Sequence, residues 1–414
     1  MDKNKTNVPK IRFPGFTDPW EQRKLDVIAD VRDGTHDSPQ YFSEGHPFVT
    51  SKNVKEGQIN YEDIQYISDV DFDEINKRSK VDKNDILMGM IGTIGNIALV
   101  RENPDFTIKN VALIKDTKSV YYLYLYHYLQ SPIVLKQLDN GMDGGTQKFI
   151  ALNKIRNLSI AVPESNEQHK IGDYLENFDN LITLHQRKLN HLQDKKKSLL
   201  QKMFPKNGEY FPELRFPGFT DPWEQHKLGD ISDVTKLAGF EFTEYVIYSD
   251  EGTIIALRGL NVKNGKIILD DVKYIDQSDF SKLNRSKLFK DDILFTYVGT
   301  VGELAIIPED NKYYLAPNVA RIRLKKEINS QFVIQMMGNK TYYDKVIFPL
   351  IATSSQPALS MENVRKFILK LPNFEEQTKI AGFFVQLDNL INLHQCKLNH
   401  LQEQKKALLQ QMFV

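Results

Sequence analysis

Two glycine-containing motifs are the first places where this sequence could hold a phosphate or a nucleotide cofactor. Gly-Thr-Ile-Gly occupies residues 92–95, and Gly-Thr-Val-Gly occupies residues 299–302. Neither motif continues into the Lys-Ser/Thr of a Walker A loop, and neither has the glycine pattern of a dinucleotide-binding turn. We therefore expect each motif to form a tight turn between two strands, with a phosphate contact by Thr93 or Thr300 as the alternative.

The other reactive side chains show no catalytic or metal-binding spacing. The chain has nine histidines without the spacing of metal ligands, and a single cysteine, Cys396, which cannot build a zinc site. Asn-Pro-Asp-Phe at residues 103–106 differs by one residue from the Asn-Pro-Pro-Tyr/Phe loop of amino-methyltransferases, but no cofactor-binding glycine motif precedes it. The sequence therefore predicts no catalytic residue and no metal site, and a turn at residues 103–106.

The composition is that of a globular protein of about two to three domains. The 414 residues include 54 Lys and Arg and 54 Asp and Glu, so any nucleic-acid surface must concentrate positive charge locally. The first residues lack the apolar core of a signal peptide, and the most apolar run, residues 120–129, is too short to span a bilayer. Because one cysteine cannot form an internal disulfide, these features predict a cytoplasmic protein.

An internal repeat organises the chain. The sequence Arg-Phe-Pro-Gly-Phe-Thr-Asp-Pro-Trp-Glu-Gln at residues 12–22 returns unchanged at residues 215–225. Residues 184–204 return at residues 393–413 with most positions identical. The segments between these blocks diverge but keep the same order of short motifs. The repeat therefore predicts one architecture used twice, with two different surfaces.

Each divergent segment is predicted to form a mixed α/β domain, here called a head, which gives the α+β class to the whole chain. Short β-rich runs are separated by Gly, Asn and Asp turn signals, while residues 120–138 and 331–346 are interpreted as helical. The predicted divisions are a first head at residues 1–162, a first helix at 163–204, a linker at 205–214, a second head at 215–371 and a second helix at 372–414.

The near-identical segments carry a heptad pattern typical of long helices. Apolar residues recur in steps of three and four, and a helix with such a stripe buries it against a partner. We expect the two helices to pack as an antiparallel coiled coil with a head near each end and a pseudo-twofold axis between them. Polar seam residues, including Lys196 and Lys405, would fix the register. The predicted seam consists of Leu175, Phe178, Ile182, His185, Leu189, Leu192, Leu199, Met203, Phe384, Leu387, Ile391, His394, Leu398, Leu401, Leu408 and Met412.

This organisation resembles the specificity (S) subunits of Type I restriction–modification systems. The resemblance rests on charged-Asp-Ile-Leu followed by Gly-Thr-Ile/Val-Gly within residues 83–100 and 290–307, and on the Glu-Gln pairs at 167–168 and 376–377. It implies two variable target-recognition domains that bind double-stranded DNA, and two conserved helices that recruit two methyltransferase (M) subunits. Two restriction (R) subunits complete the restricting complex. It also implies a chain that is not an enzyme and binds no cofactor, because S-adenosylmethionine, ATP and Mg belong to the partner subunits.

Two alternatives remain open at this stage. A stand-alone two-headed adaptor would bind protein or sugar, and would neither associate with a methyltransferase nor retard DNA. A nuclease or methyltransferase with unrecognised motifs would cut or modify DNA by itself.

The residues expected to contact DNA lie in polar loops of the heads. Arg and side-chain amides bond base edges, whereas Lys and hydroxyl groups mostly hold phosphates. Asp-Gly-Thr-His at residues 33–36 also occurs in some S subunits, but Lys-Leu-Ala-Gly replaces it at 236–239, so the fold does not require it. His36 therefore either contacts DNA or supports a turn. The candidates are Arg32, Thr35, His36, Lys52, Asn53, Gln147, Lys148, Arg258, Asn261, Thr353, Ser354, Ser355 and Gln356.

Overall fold

The computed structural model describes residues 8–142, 144, 148–206, 208–352 and 356–414. The chain divides into two compact units: the first holds the chain up to Gln186 together with Cys396–Val414, and the second is Arg187–Gln395. This division passes through both long helices, so each unit holds one head and a segment of each helix. The predicted limits of heads, helices and linker stay predictions. Within the described ranges, no helix is both long enough and apolar enough to cross a membrane.

The first head is built from short strands and short helices. Its strands are β1 (Glu21–Lys24), β2 (Asp30–Asp33), β3 (His46–Thr50), β4 (Val54–Lys55), β5 (Gln58–Ile59), β6 (Gln65–Ile67), β7 (Ile86–Gly89), β8 (Ile97–Leu99), β9 (Thr107–Lys109), β10 (Val111–Lys115) and β11 (Ser159–Val162). Its helices are α1 (Leu25–Ile28), α2 (Asp69–Ser79), α3 (Tyr122–Leu129), α4 (Pro132–Gly141) and α5 (Leu152–Arg156), and the long helix α6 (Ser165–Met203) follows.

An antiparallel sheet of order β2-β10-β7-β8 forms the centre of this head, beside a smaller sheet of order β6-β3-β9. Strands β7 and β10 are buried on both faces because alternate side chains enter different apolar cores. Ile86 and Met88 of β7 belong to one core, whereas Leu87 belongs to the other. Covered faces explain why these strands are continuous apolar runs rather than alternating ones.

The second head repeats this topology. Its strands are β12 (Glu224–Lys227), β13 (Ser232–Lys236), β14 (Ile255–Leu257), β15 (Val262–Lys263), β16 (Lys266–Ile267), β17 (Lys273–Tyr274), β18 (Ile293–Thr296), β19 (Leu304–Ile306), β20 (Tyr313–Leu315), β21 (Val319–Leu324) and β22 (Ile368–Leu371). Its helices are α7 (Leu228–Ile231), α8 (Gly239–Tyr245), α9 (Ser330–Met337), α10 (Lys340–Tyr342) and α11 (Met361–Arg365), before the long helix α12 (Phe374–Gln411). The sheets have the orders β13-β21-β18-β19 and β17-β14-β20, which match those of the first head.

The long helices pack antiparallel within each unit, as the heptad pattern predicts. In the first unit, Leu175 near the start of α6 shares a core with Met412 at the end of α12. In the second unit, Met203 at the end of α6 shares a core with Phe384 near the start of α12. None of the predicted seam residues is exposed. The apolar stripes are therefore covered partly by the other helix and partly by the head of the same unit.

Local predictions at the glycine motifs and helices are also confirmed. Residues 92–95 and 299–302 form turns between paired strands, with Gly92 at φ 72° and Gly302 at φ 101°. A Cβ at Gly302 would lie 2.5 Å from the ring of Tyr343, so only glycine fits there. The helix predicted over residues 120–138 is divided in two: α3 ends at Leu129 and α4 begins at Pro132. In the other half, a π-helical segment, Tyr343–Ile347, follows α10.

Candidate nucleic-acid interface

Three loops of the first head are fixed together by hydrogen bonds around Ser51. Its hydroxyl donates to the Asn110 carbonyl at 2.6 Å and accepts from the Met90 amide at 3.1 Å. The Thr93 hydroxyl donates to the Ser51 carbonyl at 2.6 Å, and the Gly92 amide donates to the Lys148 carbonyl at 3.2 Å. Residues 33–38, 51–53, 92–95, 110 and 148–152 thus share one surface. Together with Arg78, which bonds Asp33, and Arg32, which bonds the Arg78 carbonyl, they are called the first face.

A cavity of about 240 Å³ opens on the first face, lined by Asp33, His36, Met90, Ile91, Asn110, Phe149, Ile150, Ala151 and Leu152. Asp33 is nearly buried there and accepts a hydrogen bond from the guanidinium of Arg78. His36 Nε2 lies 3.1 Å from Asp33 Oδ2, and His36 Nδ1 lies 2.6 Å from Asn110 Oδ1. One carboxylate therefore orients two exposed, basic side chains. His36 supports the loop through these contacts, and its exposed ring still leaves the predicted DNA contact open.

The other predicted residues of the first face divide into supporting and exposed groups. The Thr35 hydroxyl accepts from the Asp37 amide at 3.1 Å and so closes a local turn. Arg32 donates to Asp30 at 2.9 Å and to the Arg78 carbonyl at 3.2 Å, which occupies its guanidinium within the head. Lys52 and Lys148 are exposed. Their roles in DNA contact stay predictions.

Asn53 and Asn261, which are on the list of expected DNA contacts, are buried in the structure. Asn53 is 2% exposed; its Oδ1 accepts from the Thr50 amide at 3.0 Å and its Nδ2 donates to the Asn60 carbonyl at 3.0 Å. Asn261 is fully buried and makes the equivalent bonds to the Arg258 amide and the Ile268 carbonyl. Because both amides are hydrogen-bonded inside the fold, each holds a loop in this structure, and a role in base contact stays a prediction.

The second head has a larger cavity of about 480 Å³ at the matching place, here called the second face. It is lined by Phe242, Tyr248, Arg258, Gly259, Leu260, Thr296, Val298, Gly299, Thr300, Pro317, Asn318 and Gln356. Arg258 donates to the Asp271 carboxylate at 2.7 Å and to the Asp271 carbonyl at 2.9 Å, so its fork is partly occupied. Gln356 lines the cavity, which is consistent with its predicted place on this surface. Gln147, Thr353, Ser354 and Ser355 lie outside the described residues.

Equivalent positions of the two heads carry different chemistry. Asp33 pairs with Ala112 in β10, and Lys236 pairs with Ala320 at the same place in β21, so an acid in one head replaces a base in the other. Arg78 and Arg285 are a pair that the sequence reasoning missed. The available signal was Arg-Ser-Lys, which stands at residues 78–80 and again at 285–287. Arg285 donates to the Thr235 hydroxyl at 3.2 Å, whereas Arg78 bonds a carboxylate.

A buried polar cluster in the first unit has metal-ligating atoms close together. Within the described ranges, His127, Glu176 and Asp179 offer ligand atoms that all lie within 4.8 Å of one another. Arg101 donates to Glu176, and Lys405 donates to Asp179, so both carboxylate charges are already balanced. Burial, together with the charges of Lys405 and Arg101, holds the pKa of His127 well below its ordinary value. A divalent cation would leave net positive charge in the interior, so this donor set does not fit a metal.

Two heads of one topology, each joined to paired long helices, define a protein with two distinct binding faces. The family model described as Type I restriction modification DNA specificity domain matches residues 17–194 and again residues 220–403. The chain therefore belongs to the family of Type I restriction modification DNA specificity domain proteins.

Similar proteins cover nearly the whole chain. It is 24% identical over 421 residues to the putative type I restriction enzyme MjaX specificity subunit of Methanocaldococcus jannaschii, which covers 97% of this chain and 95% of that one. It is 25% identical over 385 residues to the MjaVIII specificity subunit of the same organism, with 89% and 88% covered. Its fold is similar to the crystal structure of a Type I restriction-modification S subunit from M. genitalium, with a TM-score of 0.65, 16% identity, and 98% and 99% of the two chains covered.

Proposed function

We propose that this chain is the DNA-recognition subunit of a Type I restriction–modification complex, in which each head binds one half of a bipartite site. The observation that carries the proposal is that the two heads have the same strand order but expose different residues on their faces. Ser51 and Lys52 in the first head correspond to Gly259 and Leu260 in the second, and Asp33 corresponds to Lys236. Because base edges are distinguished by donor and acceptor patterns, two such faces suit two different half-sites.

The role of the chain is recognition rather than catalysis. Equal numbers of acidic and basic residues give the chain no general attraction to DNA, so contacts must come from local groups. On the first face these groups are Arg78, His36, Lys52 and Lys148, all of them exposed.

The long helices are proposed to dock two methyltransferase (M) subunits. Leu181 and Leu184 are exposed on α6, and their repeat counterparts Leu390 and Leu393 are exposed on α12. Pairs of exposed leucines on otherwise polar helices are typical of a contact surface, and a surface that occurs twice suits two copies of one partner. Two restriction (R) subunits would complete the complex, with S-adenosylmethionine, ATP and Mg²⁺ held by the partners rather than by this chain.

Methylation mapping tests the proposal. This chain and its methyltransferase subunit would be co-expressed in a host without background methylation, with a control that lacks this chain, and modified bases would be located by single-molecule sequencing. We expect one methylated site made of two short half-sites around a fixed gap, absent from the control. No new methylation, from a soluble chain and a methyltransferase that works with another specificity subunit, would refute the proposal in favour of a two-headed adaptor that does not act on DNA.

A further inference from the structure

Arg78 differs from the other arginines of the first face in how its guanidinium is held. One terminal nitrogen donates to Asp33, while Nε and the other terminal nitrogen have no partner in the part of the chain that the structure describes. Its side chain is 64% exposed, whereas the Asp33 side chain is 12% exposed. Arg32, by contrast, uses its guanidinium on Asp30 and on the Arg78 carbonyl. The guanidinium group of Arg78 is therefore bonded to Asp33 on one side, and its other side is available to a ligand.

The anchor is held by several contacts. Asp33 lies in β2, whose register against β10 is fixed by backbone pairing with Ala112. His36 contacts the second oxygen of the same carboxylate at 3.1 Å and is held in turn by Asn110 at 2.6 Å. Arg78 is the next-to-last residue of α2, a helix whose first turn is capped by the Ser68 hydroxyl. A carboxylate in a strand and an arginine on a capped helix thus meet with little freedom left in either backbone.

This arrangement suits a base edge better than a phosphate. Asp33 offsets the positive charge of Arg78, which weakens the Coulomb attraction to a phosphate. Bidentate bonding to O6 and N7 of guanine depends instead on a correctly oriented pair of N–H groups, and a carboxylate anchor supplies that orientation. A small cavity lies beside Asp33, and the exposure of the Arg78 side chain leaves its open side accessible to a base edge.

We propose that Arg78 is a specificity-determining residue of the first head that donates to O6 and N7 of a guanine, with Asp33 as its positioning residue. The inference rests on the proposed function, because it names a base within the half-site that the first head binds. Arg285 provides the contrast. It has the same place in the second head but bonds the neutral Thr235 hydroxyl, and Lys236 stands where Asp33 would be. Arg285 keeps its full charge and contacts a phosphate.

The experiment compares Arg78→Gln, Arg78→Lys and Asp33→Asn with Arg285→Gln as the matched control. Each variant would be purified with the methyltransferase subunit, and methylation rates measured on a library that carries every single-base change in both half-sites. Exchange of the first head for that of another specificity subunit assigns the half-site that this head binds.

Arg78→Gln is expected to relax the requirement for one guanine in that half-site by about tenfold to a hundredfold, with the other half-site unchanged. Asp33→Asn is expected to relax the same position by a smaller factor, which loss of stability alone would not do. Arg285→Gln is expected to lower the rate on all substrates alike and to reduce the salt dependence of binding by about one phosphate contact.

Three results would overturn the inference. Arg78→Gln could lower all rates equally, as a phosphate contact would; it could change a position that is not guanine; or it could change the second half-site. If Arg78→Gln does not fold, Arg78→Lys and Asp33→Asn decide the matter, since unchanged preference in both would equally contradict it. A wild-type chain that directs no bipartite methylation would instead refute the proposed function, and the two failures are therefore distinct.

Discussion

Lys405 of α12 donates to Asp179 of α6 inside the first unit, with Nζ 2.6 Å from Oδ1. The same ammonium group lies 3.1 Å from Oε1 of Gln130, the residue that follows α3 in the head. In the second unit Lys196 bonds Asp388 at 2.6 Å, and Gln335 of α9 bonds the other oxygen of that carboxylate at 2.9 Å. Lys405 and Lys196 therefore join both long helices to the head of each unit.

Removal of these lysines is expected to destabilise the two units unequally. The side chains of Lys405 and Asp179 are 12% and 17% exposed, whereas those of Lys196 and Asp388 are 24% and 33% exposed. Lys405→Ala leaves a more deeply buried carboxylate unpaired and should lower the free energy of unfolding by about 3 kcal/mol, against about 1 kcal/mol for Lys196→Ala. Denaturant unfolding measures both.

The matched control for this pair removes both charges at once. Lys405→Met combined with Asp179→Leu removes both members of this ion pair, so neither is left unpaired, and it should recover most of the stability that Lys405→Ala loses. Equal losses for the two single variants, or a double variant as unstable as Lys405→Ala, would show that the pair does not act through burial of charge.

His127 is expected to make the stability of the first unit depend on pH. Its pKa is held well below the ordinary value, first by burial and then by Lys405 and Arg101, while Glu176 and Asp179 face it at 3.8 and 4.0 Å. In the unfolded chain a histidine takes up a proton near pH 6.5. Below that pH the unfolded state binds more protons than the native state, so stability falls as the pH drops and is unaffected by this group above it.

The control for His127 exists in the chain itself, because Gln335 occupies the equivalent place in α9. His127→Gln should remove the dependence, so that between pH 7 and pH 5 the wild type loses up to about 1.4 kcal/mol per pH unit more than the variant. Urea unfolding at a series of pH values makes the comparison. Parallel curves for the two proteins would show that His127 takes up its proton as readily in the native state as in the unfolded state.

Local sequence patterns predict the long helices well. The strand order and the contacts between distant residues could not be predicted, because they depend on pairing between segments far apart in the chain. The seam was visible because Leu175, Leu189 and their neighbours follow a period that one helix sets by itself. The strand order was not visible in the sequence, because strands of only a few residues pair across long stretches of chain. For example, β2 pairs with β10. The same limit hid Arg78, whose partner Asp33 lies 45 residues away.

Asn53 shows a second limit, since an amide in a polar loop has the same sequence signature whether it bonds DNA or its own backbone. Substitutions of Asn53 and of its neighbour Lys52 should distinguish a structural role from a role in DNA contact. Asn53→Ala removes bonds to Thr50 and Asn60 in a buried place and should lower the free energy of unfolding by about 1 to 3 kcal/mol. Lys52→Ala, at an exposed place, should leave stability unchanged.

Lys52→Ala should affect DNA binding more than Asn53→Ala does, which is the reverse of their expected effects on stability. Lys52→Ala is expected to weaken binding uniformly across sequences and to reduce the salt slope by about one, as loss of a phosphate contact does. Titrations of the assembled methyltransferase at several salt concentrations measure the slope. A Lys52→Ala complex with an unchanged slope would remove Lys52 from the interface, and a stable Asn53→Ala would reopen Asn53 as a contact.

The exposed leucines of the long helices are expected to control how many methyltransferase subunits bind. Leu181→Asp should remove one copy, Leu390→Asp the other, and the double variant both, because a charge placed in an apolar contact must be desolvated without a partner. Light scattering of the purified complexes gives the stoichiometry directly. Val70→Asp is the control: Val70 is 78% exposed on α2 of the first head, so the same change there should leave both copies bound. Retention of two copies by the double variant, with the helices still folded, would place the docking surface on another side of α6 and α12.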